Sequence, residues 1–394
     1  MKVLLINTFY YPKFVGGAEV SVQLLAEGLQ NQGHSVYVIT LGEKDEIKSW
    51  NGIIVIRFKE RNIFSYYKNE KRNSIQKAIW FILDSCNPFY NHRLKVLLRK
   101  INPDVVHTNN VQGFSPYIWR IIKKLKIPLL HTMRDYYLLC HRCSMFDNNS
   151  NCQKLCKPCA ITHHIKKRFI QYPDLLVGVS NSILEKHSSF DNAFQSKQKK
   201  VVYNAVNIPS VVFQKEITGR IVFGFMGRIA EDKGINYLIE QLQIVNKKNP
   251  ASFSLLLAGK GEENYIQNTK MLLEGIEHTF LGIVSPEQFY ERVHVSIVPS
   301  LWDEPFGRVA VESLAYGVPV CVSSNGGLKE VYDASCSWLF TPGSIELSDI
   351  LIDILAHKED IELKSKQALN HALNFSTERN INGYMQLYQQ LKGK

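Results

Sequence analysis

Two carboxylates stand eight positions apart in Glu304-Pro-Phe-Gly-Arg-Val-Ala-Val-Glu312, across a turn that runs into a helix. Pro305 and Gly307 break the chain at the front. Val309, Ala310, Glu312, Leu314 and Ala315 then read as a helix that ends at Gly317, before Val318-Pro319. Glu304 therefore precedes the helix and Glu312 lies inside it. The amides of a helix's first turn carry partial positive charge and suit an anion such as a diphosphate. Carboxylates on either side of that anion suit hydroxyl groups: those of a sugar for Glu304, those of a ribose for Glu312. Arg228 and Lys233 add cations. Gly227 ends an apolar run and Ile235 to Leu242 reads as a helix, so both side chains can reach the crevice at a strand's carboxyl end. A charged hydrogen bond to phosphate is worth about 1.5–3 kcal/mol, and the same cations stabilise a diphosphate as it leaves. Taken alone, each feature has a plainer reading, as a solvated acid or a surface salt bridge.

The elements that would position these groups alternate. Short apolar runs at Val3 to Asn7, Ser35 to Thr40, Ile53 to Arg57, Val105 to Thr108, Leu129 to Thr132 and Leu175 to Val179 read as strands. Amphipathic stretches such as Glu19 to Gln30 and Trp119 to Lys124 lie between them. That alternation predicts a parallel sheet with helices on both faces. The pattern restarts at Ile221 to Met226 and continues through Phe253 to Ala258, His278 to Leu281, Val295 to Pro299 and Val320 to Ser323. A chain of 394 residues with 45% hydrophobic content is long enough for two such cores. The expected division is residues 1–204, 205–375 and a closing segment 376–394, with a linker in or after Asn204 to Gly219.

Charge is unevenly spread. Residues 1–200 hold 30 Lys and Arg against 14 Asp and Glu, a balance of +16; the remainder holds 17 against 22, a balance of −5. Lys123-Lys124-Leu-Lys126, Lys166-Lys167-Arg168, Lys197 to Lys200 and the aromatic-interleaved Phe64-Ser-Tyr66-Tyr67-Lys68 could meet anionic head groups or a phosphorylated acceptor; ordinary solvated helix faces are the alternative. No nucleic-acid-binding signature accompanies them, so no nucleic-acid partner is expected. The apolar run after Met1 is too short for a signal peptide, and no stretch reaches the roughly 18 apolar residues of a spanning helix. A cytoplasmic protein, peripheral to the inner face of the membrane, is the expectation.

Glu304 to Glu312 with Pro-Phe-Gly between resembles the E-x7-E element of the family 4 glycosyltransferases. Further matches follow in order: Gly16-Gly17-Ala18-Glu19, Pro103-Asp104-Val105-Val106-His107, Val179-Ser180-Asn181-Ser182, Asn204-Ala205-Val206-Asn207, Gly227-Arg228-Ile229 with Lys233-Gly234, and Gly259-Lys260-Gly261. The resemblance implies an α/β chain of the GT-B fold, in which two Rossmann-like, doubly wound parallel-sheet domains face a cleft and a C-terminal helix crosses back to the first domain. It also implies a retaining transfer of a hexose-type sugar from a nucleoside-diphosphate sugar to a glycan acceptor, lipid-linked, in bacterial surface-polysaccharide synthesis. Arg228, Lys233 and Glu304 would carry the chemistry. Gly16, Gly17, Arg134, Gly282, Val284, Phe306, Gly307, Val309 and Glu312 would bind the donor, and Glu19 would cap the helix after the glycines. No cofactor is expected for catalysis, since the chain lacks the D-x-D motif that holds a metal-diphosphate in the other major glycosyltransferase fold. Two other classes fit the residues less fully: a nucleotide-sugar epimerase of the same fold, and a non-catalytic membrane- or polyanion-binding protein.

Arg134 departs from the family, many members of which place a histidine there. A guanidinium stays charged, so Arg134 would bind a donor phosphate or an anionic acceptor group, or pair with Asp135. His107 and His131 stand in apolar runs and read either as site groups or as satisfied core histidines. Five of the eight cysteines cluster as Cys140-x2-Cys143-x8-Cys152-x3-Cys156-x2-Cys159. Two C-x2-C pairs and a further thiolate can supply four soft ligands to a tetrahedral structural zinc; reduced, unliganded thiols are the alternative. A subset of the family has a similar insertion, and its matching positions are Cys140, Cys152, Cys156 and Cys159.

Overall fold

The structure is a computed structural model and describes residues 1–13, 16–65, 72–213, 217 and 219–393. Tyr66, Tyr67 and Lys68, part of the aromatic basic stretch, lie outside the described residues, as does part of the expected linker. The chain forms two compact units: residues 1–145, 152–205 and 377–394 in the first, residues 146–151 and 206–376 in the second.

The strands in chain order are β1 (Lys2–Ile6), β2 (Ser35–Gly42), β3 (Glu46–Trp50), β4 (Ile53–Lys59), β5 (Val105–Thr108), β6 (Leu129–Met133), β7 (Phe146–Asp147), β8 (Ser150–Asn151), β9 (Leu175–Gly178) and β10 (Lys199–Val201), followed by β11 (Ile221–Met226), β12 (Phe253–Ala258), β13 (His278–Gly282), β14 (Val295–Val298), β15 (Val320–Ser323) and β16 (Ser337–Phe340). The first unit holds a sheet in the order β10-β9-β6-β5-β1-β2-β4-β3. Its pairings are parallel apart from β3 with β4. Strands β1, β5, β6 and β9 are buried along almost their whole length, as strands covered on both faces are. The edge strand β3 is different. Glu-Ile-Lys-Ser-Trp is mostly exposed, and its antiparallel return through Asn51-Gly52, both at positive φ, is a two-residue hairpin turn.

The helix Thr377–Lys392 closes the first unit. Ile381, Tyr384, Leu387, Tyr388 and Leu391 recur at helical spacing and enter one core with Val22, Leu25 and Leu29 of the helix Gly17–Asn31 and Val3 and Leu5 of β1.

The second sheet runs β13-β12-β11-β14-β15-β16, with every pairing parallel. Numbered within the unit, that order is 3-2-1-4-5-6, the doubly wound dinucleotide-binding arrangement. Connections leave β11 toward one edge and β14 toward the other, so a crevice opens between the carboxyl ends of these neighbours. Its core gathers Phe223, Leu255, Val295 and Ile297 from the strands with Leu238, Leu242 and Leu351 from the covering helices.

Candidate active site

The loops after β11 and β14 meet at that crevice. After β11, a 3-10 turn at Glu231–Lys233 ends at Gly234, where φ is 73° and an added Cβ would lie 1.9 Å from the Pro299 carbonyl oxygen. Only glycine fits, and the helix Ile235–Lys248 starts directly after it. The backbone N–H groups of Leu301 and Trp302 both donate to the Asp232 carbonyl at 3.1 Å, joining the two loops. Lys233 Nζ, with the side chain 20% exposed, forms an ion pair with Glu304 Oε1, which is 13% exposed, and lies 5.0 Å above the Trp302 ring. Ser300 Oγ donates to the same carboxylate at 2.8 Å. Arg228 is the most open of the group, 63% exposed, and pairs with Asp232 at 2.6 Å. Arg228, Lys233 and Glu304 thus fall on the loops that follow the two strands flanking the switch point.

Glu304 leads into the helix Arg308–Ala315 through Gly307, whose φ of 99° is left-handed and whose absent Cβ leaves room for Leu328. Glu312 faces back one turn and accepts a 2.8 Å hydrogen bond from Arg308 Nε. The Phe306 side chain is buried, edge-on to Phe375 at 5.6 Å, so any part it has in binding a donor falls to its backbone. The Val309 carbonyl accepts the Tyr290 hydroxyl at 3.1 Å. Gly282 ends β13, its carbonyl accepting from Gly259 N–H at 2.7 Å. Val284 packs partly buried beside Phe289 and Val293.

Sequence reasoning missed Ser300, Arg308 and Asn325. Asn325 Nδ2 donates to the carbonyls of Ser300 and Leu301 at 3.1 and 2.8 Å, and Gly327 N–H donates to the Glu304 carbonyl at 2.6 Å. The available signal was position. Ser324-Asn-Gly-Gly follows β15, the strand next to β14, at its carboxyl end.

In the first unit Gly17 opens the helix Gly17–Asn31, and Gly16 N–H donates to the Glu19 carboxylate at 2.8 Å, so Glu19 caps the turn. Arg134 is buried, and its guanidinium donates to Asn109 Oδ1 at 2.8 Å and to Asn204 Oδ1. Asp135 accepts from Tyr137 N–H at 2.8 Å, and burial raises its carboxyl to about 6. His107 bonds the Tyr388 hydroxyl at 2.6 Å and Thr132 Oγ1 at 2.7 Å, while His131 bonds Thr108 Oγ1 at 3.0 Å. Burial holds both well below the ordinary histidine range. The satisfied-core reading is the one the geometry gives for both.

The cysteine cluster departs from expectation. Cys140 and Cys159 Sγ atoms lie 3.5 Å apart, with His141 Nδ1 at 3.4 Å from Cys159. Hydrogen bonding from Cys159 lowers the Cys140 thiol to about 5. Cys156 is exposed at the start of the helix Lys157–Lys166, and Cys152 N–H is spent on the Met145 carbonyl at 2.8 Å. No group of three or more His, Cys, Asp or Glu side chains among the described residues is arranged to hold a metal ion. Of the four cysteines expected at a zinc site, Cys140 and Cys159 lie together with Cys156 hydrogen-bonded beside Cys159. A hairpin intervenes, and the residues 146–151 that form it belong to the second unit instead of the first, where the sequence placed the whole insertion.

The basic clusters also dissolve in part. Lys123 pairs with Asp174 at 2.8 Å, and Lys167 with Asp191 at 3.1 Å. Lys166 is buried and donates to the Tyr137 carbonyl at 2.5 Å.

Residues 15–209 match the family model described as Glycosyltransferase Family 4, and residues 209–371 match Glycosyl transferases group 1. The chain is 31% identical over 99% of its length to an uncharacterized 42.6 kDa protein in cps region of Klebsiella pneumoniae, all of which is covered. Among solved structures, sucrose-phosphate synthase of Thermosynechococcus elongatus superposes with a TM-score of 0.77 at 20% identity, covering 99% of this chain and 98% of that one. Anabaena HepE in complex with UDP gives a TM-score of 0.72 at 17% identity, covering 99% and 100%. With both halves matched and the two doubly wound sheets in place, the chain belongs to the family 4 glycosyltransferases (glycosyl transferases group 1) and is a glycosyltransferase of the GT-B fold.

Proposed function

We propose that this glycosyltransferase moves a hexose-type sugar from a nucleoside-diphosphate sugar to a glycan acceptor with retention of anomeric configuration. The observation that carries the reading is the meeting of Lys233 and Glu304 at the switch point of the second sheet, a cation and an acceptor carboxylate delivered from neighbouring strands. Lys233 and Arg228 take the diphosphate, Glu304 takes the sugar hydroxyls and Glu312 takes the ribose. Lys233 and Glu304 satisfy each other, and Arg228 pairs with Asp232. A donor replaces these pairings with charge-assisted bonds of its own. As the glycosidic C–O bond breaks, the electron pair leaves with the diphosphate, whose charge the two cations stabilise. The acceptor hydroxyl attacks from the same face and passes its proton to the departing phosphate.

The cps-region relative supports surface-polysaccharide assembly, and the UDP complex of the Anabaena neighbour supports a nucleotide-linked donor. We further propose a lipid-linked acceptor met at an anionic membrane face. Among the described residues no helix is long and apolar enough to cross a membrane, so contact would fall to surface cations of the first unit. Lys95, Arg99, Arg120 and Lys124 line one hollow of about 560 Å³ there, beside Tyr117 and His92 and with no carboxylate in its wall.

A thermal-shift screen of nucleoside-diphosphate sugars, followed by product analysis with candidate acceptors, tests the proposal. Lys233→Ala and Arg228→Ala are expected to weaken donor binding and slow transfer, each by one to two orders of magnitude, about 1.5–3 kcal/mol per charged bond. Glu312→Gln should weaken mainly the nucleoside end, and Glu304→Gln should slow transfer more than it lowers nucleoside-diphosphate affinity. Wild-type turnover in all four variants would overturn the assignment. Release of an altered sugar from the donor without any acceptor would favour an epimerase.

A further inference from the structure

The hairpin β7–β8 rises from the middle of the cysteine-rich insertion, yet it belongs to the second unit. Its turn is Asn148-Asn149, both in the left-handed region with φ of 47° and 56°. Asparagine tolerates that conformation better than most residues, and two such residues in sequence make the tight turn that suits a two-residue hairpin loop. Phe146 pairs with Asn151 and Asp147 with Ser150, and the Cys152–Met145 bond closes the base. The last residue of this hairpin holds the loop after β14 at two points. Asn151 Oδ1 accepts the Asp303 N–H at 2.8 Å, and Asn151 Nδ2 donates to the Leu301 carbonyl at 2.8 Å.

From these contacts we infer that Asn151 is a positioning residue for Glu304, and that the hairpin β7–β8 serves the donor site through it. The inference rests on the proposed role of Glu304. Asp303 N–H belongs to the residue directly before Glu304, so the Asn151 side-chain oxygen fixes the chain where it turns the carboxylate toward Lys233 and Ser300. On the other side of the same three residues, Asp232 accepts from Leu301 and Trp302. With Asn151 in place the loop has backbone bonds on both edges. Without it, the Asp303 N–H loses this side-chain acceptor while Asn325 still holds the Leu301 carbonyl, and the carboxylate gains freedom of the order that costs rate when reacting groups shift by fractions of an ångström. A carboxamide suits the task because it offers a donor and an acceptor side by side to a peptide edge that presents the complementary pair.

The test uses the full chain with Asn151→Ala, Glu304→Gln and the double variant. UDP affinity reports the nucleotide end, and turnover of UDP-glucose reports the sugar end. For Asn151→Ala the expected result is a loss of about tenfold in turnover with UDP affinity changed less than about twofold. On the Glu304→Gln background the same substitution should cost little more, since its effect passes through Glu304. Equal additive losses on both backgrounds, or unchanged turnover, would overturn the inference. Hydrogen exchange of the segment spanning Asp303 and Glu304 provides an arm that needs no turnover. Exchange should quicken in Asn151→Ala while the segment containing β11 stays as in the wild type, and unchanged exchange at Asp303 would refute the clamp. If the wild-type protein consumes no sugar nucleotide at all, the proposed function fails, and the exchange result still decides the clamp.

Discussion

At the residue scale, the buried histidines show how burial keeps a side chain neutral. His131 lies between Thr108 and the Trp119 ring, 4.7 Å away, and burial pushes its ring down to about 3 from 6.5. His187 is pushed to about 4 in the same way. Between those values and 6.5 the unfolded chain binds protons that the folded chain refuses, so these histidines contribute stability that is present above pH 6.5 and lost as pH falls. Each can contribute a slope of up to about 1.4 kcal/mol per pH unit. Asp84 and Asp135 act in the opposite sense, because burial raises them to about 7 and about 6 and the folded state keeps their protons as pH rises above the ordinary carboxylate range. Their stability is lost as pH climbs through about 4 to 7. The opposing slopes make a single variant the cleaner probe. His131→Asn keeps a polar partner for Thr108 and removes one titration. The melting-temperature advantage of the wild type over this variant is expected to shrink steadily from pH 7 to pH 4.5. An advantage that does not vary with pH would show that His131 is not the neutral core group the geometry describes.

At the scale of elements, the turns that start helices carry the site. Gly234 joins the Lys233 turn to the helix Ile235–Lys248 at positive φ, with Pro299 of the partner loop against it. Gly234→Ala is expected to cost about 1–3 kcal/mol in strain and, because Pro299 begins the loop that carries Glu304, to lower UDP affinity as well. Equilibrium denaturation with a parallel UDP titration checks both, and a variant with native stability and affinity would remove Gly234 from the argument. These junctions were partly legible in the sequence. Strands β1, β5, β6, β14 and β15 stood out as apolar runs because they are buried on both faces, and Gly227, Gly234 and Gly307 marked the ends of the site's elements. Strand β3 was missed because an exposed edge has no apolar run, although Asn51-Gly52 announced its turn. The hairpin at Asn148-Asn149 leaves no signal in the sequence because its two-residue strands are too short for an alternating pattern. Within the site, the spacing of Glu304 and Glu312 was visible from the chain alone. Their partners Ser300, Asn325 and Asn151 were not, since a bond between side chain and backbone across separate loops leaves no periodic trace.

At the scale of the whole molecule, the unequal charge of the two halves, +16 for residues 1–200 against −5 for the rest, becomes a surface once internal pairs are removed. Lys123, Lys166 and Lys167 are engaged with Asp174, Tyr137 and Asp191 and contribute less to the exterior than the sequence clusters imply. Lys95, Arg99, Arg120 and Lys124 remain, gathered from the helices Asn91–Ile101 and Tyr117–Lys124 around one hollow. A cation held near an anionic membrane gains about 1 kcal/mol, and the attraction fades beyond a screening length of about 8 Å at physiological salt. Four such residues on one face would together contribute about 4 kcal/mol at low salt. The full-length protein is expected to sediment with vesicles containing phosphatidylglycerol, to release as salt rises, and to ignore vesicles of phosphatidylcholine alone. Replacing Lys95, Arg99 and Lys124 together by Glu removes three attractions and adds three repulsions, so affinity for the anionic vesicles should fall at least about tenfold. Because these side chains are exposed and far in sequence from Lys233 and Glu304, UDP binding should be unchanged in the same variant. Equal binding of wild type and variant to both kinds of vesicle would mean that this face of the first unit meets only water, and that an acceptor reaches the enzyme without help from the membrane's charge.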